Sequence, residues 1–285
     1  MVAAQQNTCT YFYAKIEFME LLDLFGYLAA LLIGVVLGLI GGGGSILTVP
    51  VFVYLFGINP VTATAYSLFV VGLTALAGTL QNLRKGLVDI KTAIVFSIPA
   101  FIAVYVTRRF IVPNIPENLV TFGDFTLTKS IAIMVFFAII MLVASWSMIR
   151  NKRPEPEPGT ALVYNYPLIV IEGFVIGILT GMVGAGGGFL IIPALVLLAK
   201  LPMKKAVATS LLIIAAKSLI GFIGDIETME LDWRFLMLFS LLSIIGIFAG
   251  IQLNRFFDGK KLKKAFGWFV FIMAFYILFR EISVL

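Results

Sequence analysis

The chain has 285 residues, 61% of them hydrophobic and 13% charged, with a mean hydropathy of +1.07. The charged share is about half that of a soluble domain, and no soluble core of this length hides so much apolar surface, so lipid is the solvent. A soluble enzyme, a nucleic-acid binder and a disordered chain are excluded, and the net charge of +6 comes from short basic clusters between apolar runs, where they orient membrane segments.

The first 18 residues lack the basic start and apolar core of a signal peptide, and Met19 opens an alternative beginning, so residues 1–20 read as a leader. Seven apolar runs follow, at 24–83, 92–107, 130–149, 173–199, 206–224, 235–254 and 265–279. Runs of about 15–20 residues are one helical crossing each. The first run is too long for one helix and must fold back, at Gly41–Gly44, Pro50 and Gly57–Pro60. Residues 151–166 form a polar, Pro-rich linker between a first transmembrane repeat (21–150) and a second (167–285).

An offset of 143 residues aligns the halves without a gap, with 18 of the 64 positions from 34 to 97 identical. Gly38, Gly41, Gly43 and Gly44 meet Gly181, Gly184, Gly186 and Gly187. Pro50 meets Pro193, Ser67 meets Ser210, Gly78 meets Gly221 and Asp89 meets Asp232. Lys and Arg then set the orientation. Lys200, Lys204, Lys205, Arg255, Lys260, Lys261, Lys263 and Lys264 belong inside, and the acidic loop with Asp225, Glu227, Glu230 and Asp232 outside. The corresponding loop of the first half carries Arg84, Lys85 and Lys91 and belongs inside. The fold expected is therefore all-α, two inverted repeats, each a glycine-tipped helical hairpin plus three transmembrane helices. Both termini lie outside, and so do Arg108 and Arg109, against the rule. Hairpin arms of about 17 and 13 residues fit either a re-entrant pair or two short crossings.

The glycine runs are the first candidate site. Non-helical backbone at membrane depth is tolerated only inside protein or beside a water-filled cavity. Successive glycines followed by a helix start can aim N–H groups and a positive dipole end at an anion. This nominates Gly41, Gly42, Gly43, Gly44 and Ser45 in one tip, and Gly184, Gly186, Gly187 and Gly188 in the other. The bland alternative is close helix packing. On the helix after each hairpin, Ser67, Thr74, Gly78 and Gln81 share one face, as do Ser210, Lys217, Gly221 and Gly224. Lys217 is an intramembrane charge and a site candidate on that ground. Its alternatives are a lysine snorkelling to the interface and a salt bridge with Glu172. Glu172 itself reads as a coupling carboxylate or as an interfacial residue. Asp89 and Asp232 read as helix N-caps, and Trp146, Trp233, Trp268 and Tyr27 as interfacial belt residues.

With no His, Cys9 as the one cysteine and no phosphate-binding loop motif, neither a metal nor another cofactor is expected, and the chain reads as a non-enzyme. The pattern Gly-x-x-Gly-Gly-Gly-Gly-Ser-x-Leu-x-x-Pro at 38–50 returns as Gly-x-x-Gly-Ala-Gly-Gly-Gly-x-Leu-x-x-Pro at 181–193, and Ala63–Leu68 is echoed by Ala206–Leu211. These motifs resemble those of the sulfite exporter TauE/SafE family of membrane permeases. The resemblance covers the chain from about Met19 to Ile282. It implies a multi-pass protein of a bacterial inner membrane that moves sulfite, a sulfonate or a related small sulfur-containing anion, mostly outward. The second repeat departs at Ala185 and Gly188, so that Ser45 is a hydroxyl which only the first tip has. The expected function is a secondary transporter, the alternatives being a passive anion channel or a non-transporting assembly protein. The partners expected are a small inorganic or organic anion and the lipid bilayer, without nucleic acid, and a homo-oligomer stays open.

Overall fold

A computed structural model describes residues 25–42, 44–122, 125–150, 166–183, 188–197, 201–226, 229–257 and 259–284. The first half runs α1 (Phe25–Ile40), α2 (Gly44–Pro50, continued by a π-helical turn, Val51–Leu55), α3 (Pro60–Arg84), α4 (Ile90–Val106, continued by a π-helical turn, Thr107–Ile111, and Val112–Asn114), then α5 (Lys129–Arg150). The second runs α6 (Tyr166–Val183), α7 (Gly188–Leu197), α8 (Met203–Ile226), α9 (Trp233–Leu253) and α10 (Gly259–Val284). The order in each half is a hairpin plus three helices. Pro60–Arg84, Ile90–Asn114, Met203–Ile226 and Trp233–Phe256 are each long and apolar enough to cross a membrane, and the shorter helices are apolar too. The chain is a multi-pass integral membrane protein.

One element departs from the all-α expectation. Between α4 and α5 an antiparallel hairpin pairs β1 (Asn118–Phe122) with β2 (Phe125–Thr128). The strands, Asn-Leu-Val-Thr-Phe and Phe-Thr-Leu-Thr, are rich in β-branched and aromatic residues and flank Gly123-Asp124, a turn pair in the sequence. A membrane-scale reading of charge and hydropathy passes over so short a segment.

α3 and α8 form the centre. In each, 72% of the apolar span is buried, against 44% in α4 and in α9. They lie antiparallel. A β-carbon placed on Gly72 would meet Leu219, one on Gly78 would meet Leu211, and one on Gly221 would meet Leu68. On one side of this pair α5 and α10 pack together, through Met134, Phe137, Met141, Val270, Ala274 and Ile277.

Contacts between the halves come in exchanged pairs. Gly78 touches Ile247 and Leu211, while Gly221 touches Val104 and Leu68, the residues 143 positions earlier. The Asp89 N–H donates to Thr209 Oγ1 at 2.9 Å and the Asp232 N–H to the Tyr66 hydroxyl at 2.8 Å, again related by the offset. Both aspartates also cap their helices, accepting from the N–H groups of Thr92 and Phe235. Such reciprocity is the mark of a local two-fold relation.

The hairpin arms obey the same exchange. α1 runs parallel to α9, with Gly34 against Ser243 and Gly38 against Ile247 and Gly250. α6 runs parallel to α4, with Gly177 against Ala100 and Gly181 against Val104 and Thr107. Small residues let these backbones approach. α1 ends level with the far end of α9, where the Asn254 amide donates to the Leu39 carbonyl. The first arm is thus a short crossing and does not stop at mid-depth. Arms of 16 and 18 residues, about 24 and 27 Å long, exceed half the bilayer core, so the hairpins run past each other.

Charge separates the two ends. Arg84, Lys85, Lys91, Lys204, Lys205 and Arg255 are exposed at the end where α3 finishes and α8 begins. There partial desolvation and then Arg255 hold the Lys85 amino group below the ordinary lysine value. The opposite end exposes Glu117, Glu230 and Asp232, together with Arg234 and Arg280.

Candidate functional site

The first glycine bend closes on α8. Gly41 has φ +77°, the left-handed region that glycine enters freely. Its N–H donates to the Leu37 carbonyl at 2.7 Å, which ends α1. Its own carbonyl accepts from Ser210 Oγ at 3.2 Å, and Ser210 also donates to Val207 O at 2.8 Å. Gly42 lies against Gly188, the first residue of α7, and a β-carbon on Gly42 would sit 2.2 Å from the Gly188 carbonyl carbon. The first bend therefore meets the start of α7. Gly44 serves packing, since a β-carbon there would strike Ile33 O at 2.3 Å. Ser45 lies in α2, and Gly43, Gly184, Gly186 and Gly187 lie outside the described residues.

Gly42 offers a direct test. Gly42→Ala should cut transport roughly tenfold or more while the protein still inserts, because overpacking costs about 1–3 kcal/mol. Gly57→Asn is the control, since Gly57 has φ +64° and open space around it, and asparagine tolerates that conformation. Equal flux from the two variants would count against any part for Gly42 in transport.

The buried charge lies beside the end of α6. Lys217 is fully buried, so it does not snorkel, and its Nζ donates to Thr180 Oγ1 at 2.8 Å. Thr180 stands three residues from the end of α6. Glu172, half-buried, is two turns back along α6, about 12 Å, so the Lys217–Glu172 bridge is not formed. Next to Thr180, the Gly181 carbonyl accepts from Arg108 Nη1 at 3.4 Å. Arg108 is also fully buried. It donates through Nε and Nη2 to Asp225 Oδ2, at 2.8 Å from Nε, and through Nη1 to Thr64 Oγ1 at 2.8 Å. One guanidinium thus ties α4, α3, α6 and α8 together.

Sequence reasoning missed this cluster. Arg108 stood out only as a breach of the positive-inside rule, and Asp225 only as part of an acidic loop. The breach was the signal, because an arginine at the wrong end of a membrane protein belongs either to solvent or to an internal acid. Arg108 sits on a π-helical turn just before Pro113, and the extra residue in that turn re-aims its side chain.

The remaining candidates divide. Ser67 is fully buried and, among the described residues, its hydroxyl has no hydrogen-bond partner. It lies one turn from Thr64 on the same face of α3. Thr74 donates to its own helix at Val70 O, 2.6 Å, and is satisfied without a ligand. The exchanged positions around the first bend are uncharged: Thr74 for Lys217, Leu37 for Thr180, Ile251 for Arg108, Asn82 for Asp225 and Val207 for Thr64. The site is one-sided. Among the described residues no group of three or more His, Cys, Asp or Glu could hold a metal ion.

The ten helices of the described residues, a glycine bend held in the interior at Gly41 and Gly42 and a buried cluster of Arg108, Asp225 and Lys217 build a multi-pass membrane protein. The chain belongs to the sulfite exporter TauE/SafE family, whose model matches residues 26–277. It is similar to a "Probable membrane transporter protein" of Xylella fastidiosa, 28% identical over 255 residues, 88% of this chain and 92% of that one. It is also similar to the "Probable membrane transporter protein YunE" of Bacillus subtilis, 30% identical over 246 residues, 82% of this chain and 88% of that one. No solved structure matches the chain.

Proposed function

We propose that the protein is a secondary permease that exports a small sulfur-containing oxyanion, sulfite or an organosulfonate. The observation that carries this is Lys217, a fully buried lysine bonded to Thr180 near the end of α6, in a chain whose family is described as sulfite exporters. A cation without water seeks an anion, and an intramembrane charge is kept for function by default. Gly188 and Ser67 complete the site in this reading. Ser210 holds the first bend in place, while Glu172 stays an interfacial residue.

The halves are inverted about an axis in the membrane plane. This reading is supported by antiparallel α3 and α8 and by contacts that exchange under the repeat offset. The basic end then faces the cytoplasm, and the buried Arg108 no longer offends the rule. Alternating access follows from moving one half against the other around the site.

Reconstituted into liposomes, the protein should carry sulfite or isethionate with saturable, slow kinetics. Ionic current that does not saturate would mean a channel, and an absence of flux for every sulfur anion would remove the proposal.

A further inference from the structure

We propose that the basic end of the protein carries a site for one anionic phospholipid, its phosphate held between Lys85 and Arg255 and its acyl chain laid along the end of α3. The site is on the outer surface of the helix bundle, apart from the buried cluster beside α6.

The end of α3 differs from the rest of that helix. Residues 63–72 are all buried, yet Leu76, Leu80 and Leu83 are exposed. Spacings of four and three put them in one strip on one face. The strip leads to Lys85, about 14 Å beyond Leu76 at helical rise, close to the depth of one leaflet's hydrocarbon.

Two cations close the strip. Lys85 and Arg255 are both exposed, and Arg255 stands near enough to act on the Lys85 amino group. Among the described residues neither has a carboxylate partner. The positive-inside rule asks for cations at this end, but not for two together with no acid between them. One phosphodiester relieves their repulsion, because its free oxygens accept from an ammonium and a guanidinium at once. Phe256, 83% exposed, adds apolar surface next to Arg255.

The repeat supplies an internal control. At the 143-residue offset the strip corresponds to Leu219, Ile223 and Ile226 at the end of α8, the last two exposed as well. The sequence has Glu227 and Thr228 in place of Arg84 and Lys85, and Val112 in place of Arg255. The apolar strip recurs at the acidic end and the cations do not, so the site belongs to one leaflet.

The full chain in a neutral detergent, titrated with phosphatidylglycerol or phosphatidylcholine and read by native mass spectrometry, gives the test. One phosphatidylglycerol should bind at least about tenfold more tightly than phosphatidylcholine, given two cations at the headgroup. Lys85→Gln with Arg255→Gln should cut that preference to about threefold or less. Lys204→Gln with Lys205→Gln, exposed at the same end, should keep it. Glycerol phosphate at equal concentration should not displace the lipid, because it lacks the chain that the strip covers. Equal binding of the two lipids by the unaltered protein would overturn the proposal, whether or not the variants fold. So would a preference that survives the loss of Lys85 and Arg255, or one that the loss of Lys204 and Lys205 removes equally. Displacement by glycerol phosphate would make this a site for soluble phosphates and overturn the lipid assignment.

Discussion

Lys217→Ala should weaken anion binding by roughly 30–1,000-fold, about 2–4 kcal/mol, with little loss of folded protein. The lysine is fully buried and its one described bond goes to Thr180 Oγ1 at 2.8 Å. Removing the amine therefore leaves no buried carboxylate unpaired, and the fold loses a neutral partner only. The ligand loses its counter-charge in a partly dry site, where Coulomb terms are large. Lys217→Arg should restore part of the affinity, since charge is kept although shape changes. Substrate affinity and melting temperature measured together make the test, and an alanine variant that melts early with normal affinity would assign Lys217 to structure.

Arg108→Leu should do the opposite. It leaves the Asp225 carboxylate buried without its cation and should cost about 3–5 kcal/mol of stability. Thr64 Oγ1 and the Gly181 carbonyl would lose a donor as well. The double variant Arg108→Leu with Asp225→Leu should recover most of that loss, because no charge is then stranded. Thermal unfolding in detergent of the two single variants and the double one forms a cycle. A double variant no better than Arg108→Leu alone would show that the pair is not the source of the stability.

Much of the fold was legible because membrane physics writes coarse signals. Hydropathy bounded the spans, and glycine and proline marked the bends. The repeat offset joined Asp89 with Asp232 and Gly78 with Gly221, and the packing places both pairs in exchanged contacts. Other features carry no such signal. Arm length alone could not separate a half-way hairpin from a short crossing. The distinction rests on where Leu39 meets Asn254. For the site, spacing placed Ser210, Lys217 and Gly221 on one buried face, and all three are there. It could not pair Arg108 with Asp225, 117 residues apart, because nothing in a single sequence says which charge folds inward. It set the two glycine tips apart at Ser45, Ala185 and Gly188, and the buried Arg108 and Lys217 both bond to residues beside the end of α6.

The exchanged packing of the hairpin arms has a consequence for biosynthesis. The grooves along α1 at Gly34 and Gly38 are filled by α9, and the Ala30 carbonyl accepts from Ser243, 213 residues later. The Tyr54 hydroxyl reaches Glu281 across 227 residues. Almost the whole chain must leave the ribosome before α1 finds its partner. Contacts this distant in sequence slow folding, and an early half waits in the lipid with a bare glycine groove. The halves made as separate polypeptides should each be degraded by membrane quality control on their own, yet assemble and persist when made together, because each supplies the strip of helix that the other lacks.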